Sequence, residues 1–287
     1  MKTVCRLAVR LMNNRYRLFS RRTAMNPFLL ALAGSGLMFA ATTAGSASVF
    51  FFRGEINPKV QRVMLGFAAG IMIAASVWSL LIPAIEMAEE QGTTGWIPAA
   101  GGFALGGLFL FALDHLLPHQ HPGSSKPEGL HAHLGKRTML VFAVTLHNIP
   151  EGLAVGLAFA VAAQGGGDTV TLASAIALAI GMALQNVPEG AAIALPLRQE
   201  GLTRGKAFLW GTMSGAVEPI AAVAAVALIG LISGIMPWLL AFAAGAMIYV
   251  VVEELIPEAH LGEHSHSGTA GVMVGFILMM ILDVALG

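Results

Sequence analysis

The chain has few charged residues and almost no cysteine. Only 11% of its 287 residues are charged, against about 25% in ordinary soluble domains, whereas 56% are hydrophobic. The single cysteine, Cys5, excludes an internal disulfide framework and a metal cluster held by several thiolates. The low share of charged residues and the high share of hydrophobic residues exclude an ordinary soluble protein and predict an integral membrane protein.

Long apolar runs are abundant. A helix needs about 20 mostly apolar residues to cross the hydrocarbon core of a bilayer. Eight runs reach this length and predict an all-α, polytopic fold in which residues 28–287 form one transmembrane domain. These predicted segments 1 to 8 are 28–52, 60–83, 96–117, 139–163, 170–197, 207–231, 235–257 and 269–286. The 34 glycines would allow neighbouring helices to approach closely.

Residues 1–27 form a basic tail before the first segment. Residues 1–24 carry seven Lys and Arg residues and no acid. The apolar stretch that follows is longer than the core of a cleavable signal peptide. Three interpretations stay open: the native chain starts at Met25, the tail is removed, or the tail is retained against the charge rule described next.

Basic residues in the short loops predict the orientation of the chain. The loops after segments 1, 3 and 5 hold nine Lys and Arg residues, whereas the opposite loops hold none. Such loops are normally cytoplasmic. We therefore expect both termini to lie outside the cytoplasm. The nine residues are Arg53, Lys59, Arg62, Lys126, Lys136, Arg137, Arg198, Arg204 and Lys206.

Two related polar motifs interrupt segments 4 and 5. Residues 146–152 read LHNIPEG and residues 184–190 read LQNVPEG. Helical spacing puts the polar members of each motif on one face of its helix. Segment 6 adds Glu218, followed by a proline. Ionisable groups at membrane depth are costly and are functional candidates by default. The motif candidates are His147, Asn148, Glu151, Gln185, Asn186 and Glu189.

The motif prolines add backbone oxygen to this set. Proline removes one helical hydrogen bond, so Pro150 and Pro188 would free the carbonyls of Leu146 and Leu184. Carboxylates, amides, carbonyls and one imidazole suit zinc and its first-row neighbours better than magnesium or calcium alone. Met72 in segment 2 is either a softer ligand or a packing residue. A purely structural role for a single buried glutamate also stays open.

Further histidines and acids flank the segments. The loop 118–138 contains two H-x-H pairs, and the loop 258–268 contains three more histidines, so both could bind metal loosely. Glu253 and Glu254 near the end of segment 7 are either a staging point for an ion or helix-end residues. Asp283 is expected at the membrane interface. The loop histidines are His119, His121, His131, His133, His260, His264 and His266.

The paired motifs resemble those of the Zrt/Irt-like (ZIP) family of divalent metal transporters, in its bacterial branch typified by a Bordetella homologue. The resemblance covers about 30–287 and includes MLGFAAGIMIAAS, SGAVEP, AAGAMI, EELIPEAH and MVGFILMM. It implies a three-two-three helix arrangement with a pseudo-twofold axis relating segments 1–3 to 6–8. It also implies a metal site between segments 4 and 5, a homodimer, and elevator-like sliding of segments 1, 4, 5 and 6.

The resemblance also implies roles for individual residues. The first metal position would comprise His147, Glu151, Gln185, Glu189 and Met72, and the second Asn148, Asn186, Glu189 and Glu218. The entrance side would include Ser79 and Glu86; the exit side would include Glu254, His119, His121 and His260. Asn186 stands where some relatives have aspartate, and Gln185 where many have histidine, so this site is less anionic than theirs.

The sequence thus predicts a zinc-preferring uptake transporter, with cadmium, iron and manganese as further candidate ions and no nucleic-acid partner. Three alternatives stay open. An intramembrane metallohydrolase would share the buried His and Glu, although the usual HExxH signature is absent. A proton-coupled carrier of a non-metal substrate would also use paired carboxylates. A metal sensor that transports nothing is the third.

Overall fold

A computed structural model describes residues 26–52, 57–116, 136–163, 170–231, 233–260 and 266–286. All regular secondary structure in these ranges is helical, and eight helices are long and apolar enough to cross a membrane. This confirms the predicted all-α polytopic fold. We name them α1 (Pro27–Ser46, continued by Ser48–Phe51), α2 (Pro58–Glu90), α3 (Trp96–Leu116), α4 (Lys136–Ala163), α5 (Leu172–Gln199), α6 (Arg204–Ser214 and Val217–Leu231), α7 (Met236–His260) and α8 (Ser267–Leu286).

Two of the helices contain a turn that is wider than an α-helical turn, and both turns precede the same dipeptide. A π-helical turn occupies Ser76–Leu81 in α2 and Val251–Leu255 in α7, and each is followed directly by Ile-Pro. Proline has no N–H to donate, so it disturbs the regular ladder at this point. Such turns are frequent at functional sites. By contrast, α4 and α5 continue through Pro150 and Pro188 without a break.

Glycines let four pairs of helices pack backbone against backbone. The most extensive contacts join α2 to α8, α3 to α7, α1 to α5 and α4 to α6. A Cβ on Gly70 would lie 2.1 Å from the carbonyl oxygen of Val272, and one on Gly106 would lie 2.0 Å from that of Phe242. Only glycine fits at such distances, so these positions fix which helices are neighbours.

The polar motifs lie on helices that are largely buried, α2 being buried to the same degree as α4. In the apolar windows of α4 and α5, 67% and 72% of the residues are buried, against 28% in α3 and 22% in α8. Contacts of α4 with α1, α5, α6 and α7, and of α5 with α1, α2 and α8, place both helices inside the bundle. Their polar residues therefore face protein rather than lipid. The three-two-three arrangement stays a prediction.

Candidate metal site

Three helices bring the predicted polar residues together. Asn148 and Glu151 on α4, Gln185 and Asn186 on α5, and Glu218 on α6 are all fully buried. Glu189 and His147 are only 7% and 9% exposed. Seven polar side chains thus occupy the interior of a bundle whose other core residues are largely apolar.

Hydrogen bonds join the two carboxylates at the ends of the cluster through the two α5 amides. The side-chain amide of Gln185 donates to Glu151 Oε2 and to Asn186 Oδ1, both at 2.6 Å. Asn186 Nδ2 donates to Glu218 Oε1 at 2.9 Å. The four side chains are therefore hydrogen-bonded in the order Glu151–Gln185–Asn186–Glu218. Each amide group holds the oxygen atom of its neighbour in place.

Five oxygens of this cluster are buried without a hydrogen-bond partner. They are Asn148 Oδ1, Glu151 Oε1, Gln185 Oε1, Glu189 Oε2 and Glu218 Oε2. Buried polar atoms are normally paired, and five exceptions in one place need an explanation. Every one is an acceptor of a type that binds divalent cations. The cluster therefore matches a cation better than it matches a structural hydrogen-bond network.

The acidic groups are separated by the amides. Glu151 lies within electrostatic range of Glu189 and Glu218, and Glu189 within range of Glu254. In the described ranges, no three His, Asp or Glu side chains converge closely enough to hold a metal on their own. A bound ion would therefore need oxygens other than those of the acids, and the cluster offers the amide oxygens of Asn148 and Gln185.

The glycine of the first motif positions α6 against α4. A Cβ on Gly152 would lie 2.4 Å from the carbonyl oxygen and 2.8 Å from the Cα of Glu218. The glycine directly after Glu151 therefore lets the backbone of a second acid approach it. Close packing at this point sets the distance between the two carboxylates.

A break in α6 orients Asn148. The helix stops at Ser214 and resumes at Val217, so the usual partner of the Ser214 carbonyl is lost. Asn148 Nδ2 donates to that carbonyl at 3.1 Å. The amide is thereby held so that its own oxygen stays unpaired. The sequence did not predict this contact with Ser214.

His147 connects the cluster to α7. Its Nε2 is paired with a carboxylate oxygen of Glu254, which is itself buried in the π-helical turn of that helix. The structure therefore places Glu254 against the first motif, and its exit role stays a prediction. Met72 is fully buried in the apolar core of α2, and its role as a ligand stays a prediction.

A small cavity lies apart from the cluster, and no cluster residue lines it. It has a volume of about 120 Å³ and is lined by residues of α2, α4, α5 and α8, including Ser79, Glu86 and Asp283. The Ser79 hydroxyl donates to Asp283 Oδ1 at 2.6 Å, and Asp283 is only 8% exposed. Asp283 is thus buried and hydrogen-bonded, and its expected position at the membrane interface stays a prediction. Periodicity alone could not reveal its partner on a distant segment.

The structure describes only two of the seven loop histidines. His119, His121, His131, His133 and His264 lie outside the described residues. His260 is the last residue of α7, and His266 precedes α8 and is exposed. Their predicted role in accepting the ion stays a prediction.

Comparison with known proteins decides the family. A family profile described as "ZIP Zinc transporter" matches residues 119–283. Zinc transporter ZIPB of Bordetella bronchiseptica is 41% identical over 90% of this chain and 81% of its own. The chain belongs to the ZIP family.

Other ZIP proteins match over nearly their whole length. Zinc transporter GufA of Myxococcus xanthus is 39% identical over 89% of this chain and 98% of its own. Zinc transporter ZIP11 of Xenopus tropicalis is 39% identical over 91% of this chain and 98% of its own. These relatives confirm the predicted family and support a transporter rather than an enzyme.

Proposed function

We propose that the protein imports divalent metal ions, with zinc preferred, across a bacterial cytoplasmic membrane. The observation that carries this proposal is the group of five unpaired oxygens buried between α4, α5 and α6. Membership of the ZIP family and the names of the relatives support zinc as the substrate. Cadmium, iron(II) and manganese are further candidate substrates.

The chemistry of binding follows from the cluster. An incoming ion sheds water, and the carboxylates of Glu151, Glu189 and Glu218 offset its charge. Amide oxygens complete the ligand set, and no thiolate is needed. A site of oxygens and one imidazole holds zinc less firmly than a closed cysteine site, which suits an ion that must be released. The two positions implied by the family resemblance share Glu189.

We infer the direction of transport from the residues that lie on the outer and inner sides of the cluster. Ser79 and Glu86 line the cavity at the end that the loop charges assign to the outside, and we place the entrance there. His147 and Glu254 lead toward the opposite end, where His119, His121 and His260 would receive the ion. Both termini face outward in this proposal. Access alternates by sliding of α1, α4, α5 and α6, and the assembly is a homodimer.

Zinc uptake into liposomes tests the proposal. The purified protein is reconstituted with a zinc-sensitive dye inside, and the initial rate of zinc arrival is measured. We expect Glu151→Ala and Glu189→Ala to lose most of the rate, because each removes a buried charge that offsets the ion. Glu200→Ala, which changes an acid at the end of α5 outside the cluster, should transport normally.

The outcomes separate the parts of the proposal. If both site variants carry zinc as well as the native protein, the site is wrong. If the native protein carries no zinc at all, the proposed substrate is wrong. Competition by cadmium, iron(II), manganese and cobalt in the same assay then ranks the ions, and the expected order has zinc first.

A further inference from the structure

A hydroxyl of α1 reaches the metal cluster from a helix that supplies none of the predicted ligands. Thr42 is only 1% exposed, and its Oγ1 lies 3.4 Å from Glu218 Oε1. The same Glu218 oxygen accepts the hydrogen bond from Asn186. Two neutral groups from two different helices therefore meet at one carboxylate oxygen, and the other oxygen, Oε2, is left unpaired.

The two motif glycines place Thr42 and Glu218 in the same way. Gly152 of the first motif packs against the backbone of Glu218, with 2.4 Å between its ideal Cβ and the carbonyl oxygen. Gly190 of the second motif packs against the backbone of Thr42, with the corresponding distance 2.1 Å. Each motif glycine thus holds one residue of an adjacent helix beside the cluster. Thr42 on α1 packs against Gly190 in the way that Glu218 on α6 packs against Gly152.

Thr42 also fills the space at the break in α6. A Cβ on Gly215 would lie 3.0 Å from the Oγ1, Cβ and Cγ2 atoms of Thr42. The threonine is therefore enclosed by α5 on one side and by the start of the Glu218 helix on another. Its hydroxyl has little freedom other than rotation about the Cβ–Oγ1 bond.

That rotation offers the hydroxyl two acceptors. Thr42 Oγ1 lies 3.2 Å from the carbonyl oxygen of Met38, one turn earlier in α1, and 3.4 Å from Glu218 Oε1. A hydroxyl has one hydrogen to donate, and a carboxylate binds it more strongly than a carbonyl does. The Met38 carbonyl remains as an alternative partner, so the hydroxyl stays satisfied if the carboxylate turns toward an ion.

We propose that Thr42 is a positioning residue of the metal site, which holds Glu218 Oε1 together with Asn186 so that Oε2 is presented to the ion. This inference rests on the proposed function. Outer partners of this kind orient ligating carboxylates, and their removal typically lowers metal affinity about 10- to 100-fold.

Zinc affinity of the purified full-length protein tests the proposal. Affinity is measured in detergent by competition with a chromophoric zinc chelator, and thermal stability is measured without metal. Thr42→Val keeps the shape of the side chain but removes the hydroxyl, so we expect affinity to fall by about 10-fold or more. Thr42→Ser keeps the hydroxyl and should remain within about 2-fold of the native protein, since the same hydrogen bond is available.

Thr43→Val is the matched control. Thr43 is the next residue on α1, and its hydroxyl donates to the carbonyl of Phe39 at 2.8 Å. Its loss should leave zinc affinity unchanged. If Thr42→Val does not fold, Thr42→Ala removes the same hydroxyl with less bulk and takes its place.

Two results would overturn the inference. Native affinity in Thr42→Val would show that the hydroxyl is not needed, and an equal loss in Thr42→Ser would show that the methyl group matters instead. In both cases the native protein still binds zinc, and the proposed function stands. If the native protein itself binds no zinc, the proposed function fails and the role of Thr42 fails with it.

Discussion

The imidazole of His147 on α4 is paired with the carboxylate of Glu254 on α7. One partner belongs to the first polar motif, and the other to a π-helical turn in a different helix. While this pair is closed, His147 Nε2 is occupied and is not free to bind an ion. In the proposed direction of transport, an ion leaving the cluster would have to exchange ligands at this pair.

Neutralising Glu254 should slow transport more than it weakens binding. Hydrogen bonds with one ionised partner are roughly twice as strong as neutral ones, so Glu254→Gln would hold His147 and a departing cation less firmly. We expect liposome uptake to slow by about 10-fold and equilibrium zinc affinity to fall by less, because Glu254 competes with the ion for His147 Nε2. Glu253→Gln, which changes the exposed neighbour, is the control. Native uptake by Glu254→Gln would remove this residue from the route.

Gly152→Ala should disrupt the site through the backbone. The new methyl group would lie 2.4 Å from the carbonyl oxygen of Glu218, and a backbone atom cannot move aside alone. Overpacking of this kind costs about 1–3 kcal/mol. We expect a lower yield of folded protein, a lower melting temperature and little stabilisation by zinc.

Gly36→Ala provides the comparison for that variant. Gly36 lies on α1 with open space around its ideal Cβ, and an alanine there should fold and bind zinc normally. Equal behaviour of the two alanine variants would contradict the role assigned to Gly152 in setting the distance between the helices.

The number, type and approximate bounds of the helices could be predicted from apolar run length alone. Hydropathy could not locate the π-helical turn at Ser76–Leu81, because the residues in it are as apolar as their neighbours. The predicted second segment ended at residue 83, whereas α2 continues to Glu90. Charged residues after Pro83 lowered the hydropathy, but the helix extends beyond the apolar core.

The cluster was predictable where both partners belong to repeated motifs. Gln185 is the second residue of one copy and Glu151 the sixth residue of the other, and the structure joins them directly. Thr42 and Asp283 were not identified as site residues, because an isolated polar residue in an apolar helix gives no sign of which distant helix it faces. Their roles depend on close helix packing, which no local pattern specifies.

Asp283→Asn and Ser79→Ala should lower uptake at low zinc concentrations. Asp283 adds a second acid beside Glu86 to the cavity that we propose as the entrance, and negative charge there raises the local concentration of cations. We expect the concentration for half-maximal uptake to rise several-fold for Asp283→Asn, with a smaller rise for Ser79→Ala and an unchanged maximal rate. Asp283 is buried, so salt screens its charge only weakly and the difference should persist at high ionic strength. A defect accompanied by a lower melting temperature would instead indicate damage to the fold.

Asn186→Asp should make the site less stable when empty and more responsive to zinc. Asn186 donates to Glu218 Oε1 at 2.9 Å and accepts from Gln185 at 2.6 Å. An aspartate loses the donor and places a second negative charge beside Glu218, so the metal-free melting temperature should fall. A cation offsets both charges, so the rise in melting temperature on adding zinc should exceed the native rise, since stabilisation grows with affinity. Asn186→Ala removes the donor without adding charge and should show the first effect without the second. If zinc stabilises Asn186→Asp no more than the native protein, the ion does not bind near Glu218, and the second metal position must be abandoned.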